Sequence, residues 1–270
     1  MSTPTPSAPS AGYAPVRPLD VTGTAPIPFV RLISVELRKM WDTRAGLWLL
    51  GSIVVVTAAF MLIFFFVADS SDRVFDNFIA FAATPQGFLL PVLGILLVTQ
   101  EWGQRTAMVT FALEPSRGKV ISAKVVAALV FGAAAFVAAI AIAALFTAVG
   151  GAADGFGDLT FWVFGLFFLL QLLTIIQGLA YGLLLLNSPA AIVTFFVAPI
   201  ASTIIFNLVP GLRDAAPWLD LGTAQQPLFE LGGGESLTGE QWAQLGTTTL
   251  VWILIPFALG LVRVLRAELK

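Results

Sequence analysis

The stretch that decides the fold reads EWGQRTAMVTFALEPSRGKVISAK and covers Glu101–Lys124. Long apolar runs flank it on both sides, and it is the one internal segment where several basic residues gather. Apolar runs of about 20 residues are long enough to cross a bilayer as helices. The pattern therefore predicts a polar helix-turn-helix between two membrane spans, with a docking surface on the cytosolic side. Its basic residues are Arg105, Arg117, Lys119 and Lys124.

Composition extends this interpretation to the whole chain. Of 270 residues, 58% are hydrophobic and 11% are charged, and the mean hydropathy is +0.92. A soluble domain carries a charged fraction of about 25%. The repeated apolar runs predict an all-α, polytopic membrane protein.

The residue types that are missing exclude several kinds of chemistry. The sequence contains no cysteine and no histidine. Disulfides, thiolate chemistry, imidazole-held metals and Ser-His or Cys-His nucleophiles are thereby excluded. Gly118-Lys119 resembles the end of a phosphate loop, but Leu113 stands where the upstream glycine belongs and Val120 replaces the Ser or Thr. We expect no catalytic residue, metal or cofactor in this chain.

The N-terminal region divides into two parts. Residues 1–27 are rich in Pro, Ser, Thr and Ala and lack a secretory signal pattern, so a disordered cytosolic tail is expected, with a binding role left open. Pro28–Arg44 has helical periodicity with an apolar and a basic face. It predicts an interfacial amphipathic helix, and a helix packed on the spans is the compatible alternative.

Six membrane spans follow, within one six-span domain of residues 28–270. Pro85 and Pro91 predict a kink or break in the second span. The third span exceeds the hydrocarbon thickness, so its first turn is expected in the cytosol with Lys124 snorkelling. The polar segment Pro210–Gln241 is expected outside the cytosol, with short helices at the interface. The spans are about Gly46–Val67, Phe78–Thr99, Val120–Val149, Leu159–Leu186, Ala190–Val209 and Trp242–Val262.

Charge sets the expected orientation. Every Lys and Arg except Arg73 and Arg213 falls on the side that holds both termini and the Glu101–Lys124 loop, while most acidic residues fall opposite. Positive charge accumulates on the cytosolic side of membrane proteins. Both termini and Arg117 are therefore expected in the cytosol, with Asp154 and Glu235 outside.

Polar and small residues inside the spans are the candidates for a path or a subunit interface. Small residues let membrane helices approach closely, so packing within one subunit explains them equally well. No charged side chain falls in mid-span, where a coupled carrier usually needs one, although backbone carbonyls remain able to bind sodium. The candidates are Gln171, Thr174, Gly178, Gly182 and Asn207.

The arrangement resembles the permease subunits of bacterial ATP-binding-cassette exporters, in the type-two transport-permease family. The resemblance covers about Phe29–Lys270. It rests on an interfacial helix of the type seen in Val35–Arg44, on six spans with a large outer segment before the last, and on loosely spaced residues after the second span. Arg105 stands where the family often has Gly. The spaced residues are Glu101, Arg105, Thr106, Leu113, Pro115, Arg117 and Lys124.

The resemblance implies a bacterial cell-membrane protein in which two permease chains pair and each docks a separate ATPase on the cytosolic side. Gln104–Leu113 would be the coupling helix that fits a groove in the ATPase, with Phe111 as its buried anchor. A pair between Glu101 and Arg105 would hold the start of this helix. The implied coupling residues are Glu101, Arg105, Thr106, Met108, Phe111, Pro115, Arg117 and Lys124.

The sequence leaves the transported substrate open among lipids, glycan precursors, drugs and antibiotic peptides. The expected partners are the ATPase, a second permease copy or paralogue, and membrane lipids, with no nucleic acid. A non-transporting scaffold or immunity protein is one alternative, and an ATP-independent carrier or channel is another. Binding of an ATPase to the cytosolic loop distinguishes the exporter from both.

Overall fold

A computed structural model describes residues 27–157, 161–229 and 237–267. The expected disordered tail, apart from Ile27, lies outside the described residues, as do Leu159, residues 230–236 and Lys270. Over the described part the chain is about 88% helical and contains no strand, which confirms the all-α class.

The helices follow one another with short connections. Short 3-10 helices at Ser70–Asp72 and Pro210–Ala215 connect some of them. The helix Gly239–Arg266 contains a π-helical turn, Leu250–Leu254, directly before Ile255 and Pro256. The bounds are α1 Phe29–Asp42, α2 Arg44–Val67, α3 Phe75–Gly103, α4 Ala107–Leu113, α5 Arg117–Gly150, α6 Phe161–Leu185, α7 Ser188–Leu208, α8 Ala216–Leu219, α9 Leu221–Phe229 and α10 Gly239–Arg266.

Six of these helices, α2, α3, α5, α6, α7 and α10, are long and apolar enough to cross a membrane. Their ends lie within about one helical turn of the expected span ends. Side chains cap several of them: Thr43 and Asn187 accept bonds from the first turns of α2 and α7, and Thr238 forms a capping box with Gln241. The six-span prediction is therefore confirmed at the level of length and composition.

The expected break in the second span is not found. The helix α3 runs continuously through both Pro85 and Pro91. Proline is tolerated inside a membrane helix where neighbouring helices support the backbone around it. Here α3 is the element most enclosed by others, together with α6: 61% of the apolar window of each is buried, against 17–28% in the other four spans.

Small residues bring α3 and α6 into close contact at the centre. A Cβ on Gly178 of α6 would lie 2.6 Å from Pro91 Cα, and a Cβ on Gly94 of α3 would lie 2.9 Å from Leu179 N. Real Cβ atoms do not approach so closely, so these two glycines set the distance between the helices. The rest of the bundle packs around this pair.

Candidate functional site

Buried charges meet at the end of the bundle where α3 ends and α5 begins. The helices α1 and α4 pack against this end, and each contributes to it. Glu101, in the last turn of α3, is buried and accepts bonds from the Lys39 ammonium of α1, from Lys124 of α5 at 3.2 Å, and from the Thr110 hydroxyl of α4 at 3.3 Å. One carboxylate thus contacts three other helices.

A second carboxylate, Glu36 of α1, completes the arrangement. Its Oε1 atom lies 2.7 Å from Lys39 Nζ and its Oε2 atom 2.7 Å from Lys124 Nζ. Lys124 is only 1% exposed and gives a further bond to the Leu97 carbonyl, at 2.9 Å. Glu36, Lys39, Glu101 and Lys124 therefore form a closed set of two acids and two bases, which we call the charge cluster.

The charge cluster is electrically balanced, and this balance allows it to be buried. Isolated charges are costly to bury, and pairing with full hydrogen bonding compensates for this cost. Burial lowers the pKa of Lys39, but the attraction of Glu36 and Glu101 raises it by more, so the pKa ends above its ordinary value. The charged form of Lys39 is stable in this setting.

The structure corrects the expected Glu101–Arg105 pair. After α3 the chain makes a Schellman turn: Arg105 N donates to Trp102 O at 3.3 Å and Thr106 N to Glu101 O at 2.9 Å. Arg105 occupies the left-handed position of that turn, with φ 58°, and is exposed. Helical (i, i+4) geometry ends before Arg105, so Glu101 pairs with Lys39 and Lys124 instead.

Lys124 also differs from its expected position. We expected its side chain to snorkel into the cytosol from a projecting first turn of α5. It lies inside the bundle instead, because α1 covers this turn and supplies Glu36 as a partner. The Glu36 carboxylate takes the place of water as the hydrogen-bond partner of the Lys124 ammonium.

The Phe111 side chain also packs against residues of its own chain. It is 7% exposed and packs with Ala107 and Val120 in the core at this end. The Arg117 guanidinium lies over its ring, 5.2 Å from the centroid. Phe111 therefore cannot be the docking anchor expected of it, because α4 turns this face inward.

The outer face of α4 is apolar and open. Val109 and Met108 are exposed, and Leu113 is 71% exposed. Between α4 and α1 lies a cavity of about 440 Å³, which we call the α1–α4 groove. The charge cluster contributes Glu36 and Lys39 to its wall. The remaining lining residues are Ile27, Arg31, Leu32, Val35, Val109, Thr110, Leu113, Glu114 and Val120.

The other expected coupling residues serve the connection between α4 and α5. Pro115 is exposed in this connection, whereas Thr106 is exposed in the turn before α4. Arg117 donates to the carbonyls at the end of α10, with bonds of 2.7 Å to Val264 O and 2.8 Å to Ala267 O. A cation at a helix C-terminus satisfies free carbonyls and favours the helix dipole. Arg117 thus ties the loop to the last span.

The candidate path residues do not converge on one site. Gln171 donates to Gln86, whose amide donates to the Ala135 carbonyl at 3.1 Å, so this chain of amides links α6, α3 and α5. The Thr174 hydroxyl donates to the Leu170 carbonyl, one turn earlier in α6.

Gly178 and Gly182 face Pro91 and Ile95 of α3 and are buried there. Packing within one subunit is therefore their observed role, and a second copy cannot reach them. Asn207 is exposed on α7 and bonds the Thr203 carbonyl.

Sequence reasoning missed Glu36 and Lys39 as site residues. A signal was present for Glu36, because it stands between Leu32 and Met40 at a spacing of four, within the apolar stripe of α1. An acid on an apolar face indicates a buried partner. Nothing in the sequence pointed to that partner.

Another buried carboxylate, Asp220, was also missed. It lies between α8 and α9, is fully buried, and accepts bonds from Ser202 Oγ at 2.7 Å and from Thr203 Oγ1 at 3.0 Å, both on α7. It also accepts from Thr223 N at 3.0 Å and Thr223 Oγ1 at 2.8 Å, at the start of α9. Asp220 thereby fastens the start of α9 to α7.

Comparison with known proteins gives no family for this chain. No protein-family model matches it, and no curated protein matches it in sequence. Among the described residues, no group of three or more acidic, His or Cys side chains is placed to hold a metal ion. The function must be argued from the charge cluster and the α1–α4 groove.

Proposed function

We propose that this chain is the permease subunit of an ATP-driven exporter of the ATP-binding-cassette type, in a bacterial cell membrane with both termini in the cytosol. It pairs with a second permease chain, and ATP is hydrolysed by a separate subunit that docks beside α4. The observation that carries the proposal is the charge cluster: it joins the α1–α4 groove to the end of one span, α3, and the start of another, α5.

The α1–α4 groove supports the docking step. Its rim is formed by Val35, Val109 and Leu113, which are exposed apolar side chains on two helices outside the six spans. Apolar anchors that enter such a groove dominate the binding energy of many interfaces. A segment of the ATPase that inserts between α1 and α4 would contact both helices at once.

The charge cluster supports the coupling step. A push on α4 or α1 acts on Glu101 through Thr110 and Lys39, and from there on α3 and α5. Each base contacts both acids, so the same four groups can pair differently in two positions of α1. A conformational switch needs such differential contacts in its two states.

The spans themselves favour an external energy source. The helices α6 and α7 contain no charged side chain, and those of α2, α3 and α10 stand within a few residues of the helix ends. In α5 the charge furthest from the end is Lys124, two turns into the helix, and it belongs to the charge cluster. An ion-coupled carrier usually holds an ionisable group at mid-membrane. The exporter therefore accounts for the α1–α4 groove and the charge cluster, which a carrier does not need.

The docking test places one charge at the rim of the groove. We expect Leu113→Asp to abolish co-purification of an ATP-hydrolysing subunit with the tagged chain from its own membranes, because a buried unpaired carboxylate opposes docking. Leu212→Asp is the matched control, an exposed apolar residue on the outer segment. Co-purification that survives Leu113→Asp, or that is lost equally with Leu212→Asp, would remove the basis for the docking site.

The coupling test keeps docking and breaks the charge cluster. Glu101→Gln is expected to leave the ATPase bound. In proteoliposomes, however, the vanadate-sensitive ATP hydrolysis of the complex should no longer be stimulated by the transported substrate. The isolated chain should hydrolyse no ATP. Hydrolysis by the isolated chain, or unchanged coupling in Glu101→Gln, would contradict the proposal.

A further inference from the structure

A cleft runs along the outside of the bundle between α2 and α5. Its volume is about 430 Å³. Small residues form its floor: Gly51 on α2 faces Ala134, Ala135 and Ala138 on α5, and a Cβ built on Gly51 meets no atom within 4 Å. Larger apolar side chains of both helices, among them Ile53 and Val130, line the rest of the cleft, and the small residues between them leave space that side chains do not fill.

The cleft continues into a second cavity of about 280 Å³ beside α1. The two cavities share Trp41 and Phe131, so one begins where the other ends. Leu37, Arg38 and Asp42 complete the lining of the second cavity. An apolar channel in the bundle surface thus ends at two opposite charges.

Arg38 and Asp42 are exposed, and within the described residues no ion pair or hydrogen bond joins their side chains to each other or to another group. They stand four residues apart on α1, so their Cβ atoms are about 5–6 Å apart. Trp41 lies exposed between them, as tryptophan does at the boundary of headgroups and hydrocarbon.

We propose that this combined site binds one molecule of phosphatidylethanolamine. An acyl chain lies in the α2–α5 cleft, the phosphate contacts Arg38, and the primary ammonium contacts Asp42. The match is one of charge: a headgroup with one negative and one positive centre meets one positive and one negative side chain. The proposal requires the six helices to span a bilayer but is independent of the exporter function.

Other occupants fit the site less well. An anionic phosphatidylglycerol satisfies Arg38 but leaves Asp42 without a counterion. A phosphatidylcholine headgroup carries a quaternary ammonium, which cannot donate a hydrogen bond to Asp42. A second copy of the chain would have to present an apolar ridge to the cleft and a patch with both charges to Arg38 and Asp42. Binding of a second copy is one outcome of the cysteine test below.

The lipid test uses the purified full chain in detergent, titrated with the three phospholipids at matched acyl composition and followed by native mass spectrometry. One phosphatidylethanolamine should bind about fivefold more tightly than phosphatidylglycerol or phosphatidylcholine, because the extra pair with Asp42 is partly exposed. Equal affinities for the three lipids would overturn the proposal.

Charge variants separate the two halves of the headgroup. We expect Asp42→Asn to abolish the preference for phosphatidylethanolamine. Arg38→Gln should lower the affinity for all three lipids to a similar degree. Arg44→Gln is the matched control, since Arg44 is a nearby exposed cation that does not line either cavity. A preference that persists in Asp42→Asn would overturn the assignment of the ammonium.

Steric variants test the cleft. Gly51→Leu should lower the affinity for all three lipids about tenfold, because the leucine side chain would fill the channel. Gly246→Leu, at another exposed glycine with open space on α10, should not. Equal effects of the two substitutions would contradict the acyl site.

If Gly51→Leu fails to fold, a cysteine at the same position provides a second test. The chain has no other cysteine, so a thiol reagent would label this position alone. Gly51→Cys is purified in its folded state and then labelled with a bulky thiol reagent, which should release the lipid. Retention after labelling overturns the proposal, and so does a disulfide-linked dimer through this position in native membranes, which would assign the cleft to a second copy.

Discussion

The two ends of the bundle hold buried carboxylates in opposite ways. Glu36 and Glu101 face two ammonium groups that each contact both acids, across helices α1, α3 and α5. Asp220 is equally enclosed, yet the donors that surround it are three hydroxyls and one backbone N–H. The charge cluster is compensated by charge, and Asp220 by neutral hydrogen bonds.

The difference has consequences for movement. The ammonium groups of Lys39 and Lys124 can exchange carboxylate partners while every charge stays paired. The charge cluster therefore suits helices that shift relative to each other. The donors around Asp220 are fixed by the backbone of α7 and by the first turn of α9, so it suits a static anchor. The four predictions below test this contrast, beginning with the largest effect.

Removal of one cation should damage the charge cluster most. Lys124→Met leaves Glu36 and Glu101 with Lys39 alone, and loss of one partner from a buried pair costs about 3–5 kcal/mol. The measurement is the free energy of unfolding in detergent. Lys119→Met is the control, because Lys119 is half exposed and stands 3.9 Å from Glu114.

The double variant Lys124→Met with Glu36→Gln should recover part of this loss, since it restores the charge balance. A loss in Lys124→Met no larger than that in Lys119→Met would show that the charge cluster does not contribute to stability.

Asp220 should respond to a smaller degree. Asp220→Ala removes the cap of α9 and leaves the hydroxyls of Ser202 and Thr203 without an acceptor, at a cost of about 2 kcal/mol. Asp220→Asn keeps one acceptor oxygen and should cost less. Asp214→Ala, at an exposed acid nearby, is the control. If Asp220→Asn cost as much as Lys124→Met, the contrast between the two ends would fail.

Hydropathy predicted the six spans well because membrane length requires about 20 apolar residues wherever a helix crosses. The continuity of α3 could not be predicted from Pro85 and Pro91 alone, since the support for its backbone comes from α6. The GxxxG of Gly178 and Gly182 likewise predicted close packing without its partner, because such a pair fits any smooth helix face.

The candidate site was predicted in part. Glu101 and Lys124 were singled out, but their partners Glu36 and Lys39 come from a helix more than 60 residues earlier in the chain. Local spacing favoured Arg105 for Glu101, and a left-handed turn overrides that spacing. Phe111 was expected to be the docking anchor because aromatic side chains dominate many interfaces, and the sequence of this short helix does not show which of its faces packs inward.

The pH dependence of Lys39 sharpens the description of the charge cluster. Its pKa lies above the ordinary value of 10.5, so its contribution is fully present below pH 10.5 and is lost as the pH rises through the higher folded value. The stability difference between the native chain and Lys39→Gln should be constant between about pH 7 and pH 9, then shrink in stronger alkali.

The size of this difference is limited, because the Lys39 side chain is 32% exposed and water screens it. Lys119→Gln, treated in the same way, corrects for general alkaline effects. A difference that shrinks as the solution is made acidic, from about pH 9 to pH 6, would give the opposite sign and contradict the assignment.

The smallest expected effect concerns the turn that sets the position of Glu101. Arg105 is held at φ 58°, where a residue with a Cβ is strained by about 1–2 kcal/mol, and glycine is not. Glycine also loses more freedom on folding, by about 0.4–1 kcal/mol. Arg105→Gly should therefore stabilise the chain by about 0.5 kcal/mol, since Arg105 is exposed and Glu101 has other partners.

Gln104→Gly is the matched control, because Gln104 has φ −90° in the same turn and gains nothing from glycine. It should destabilise the chain, so the two neighbouring substitutions differ in sign. The measurement is the midpoint of thermal unfolding in the same detergent. A loss of stability in Arg105→Gly equal to that in Gln104→Gly would mean that the Arg105 side chain contributes an attraction, and the pair with Glu101 expected from helical spacing would then have to be reconsidered.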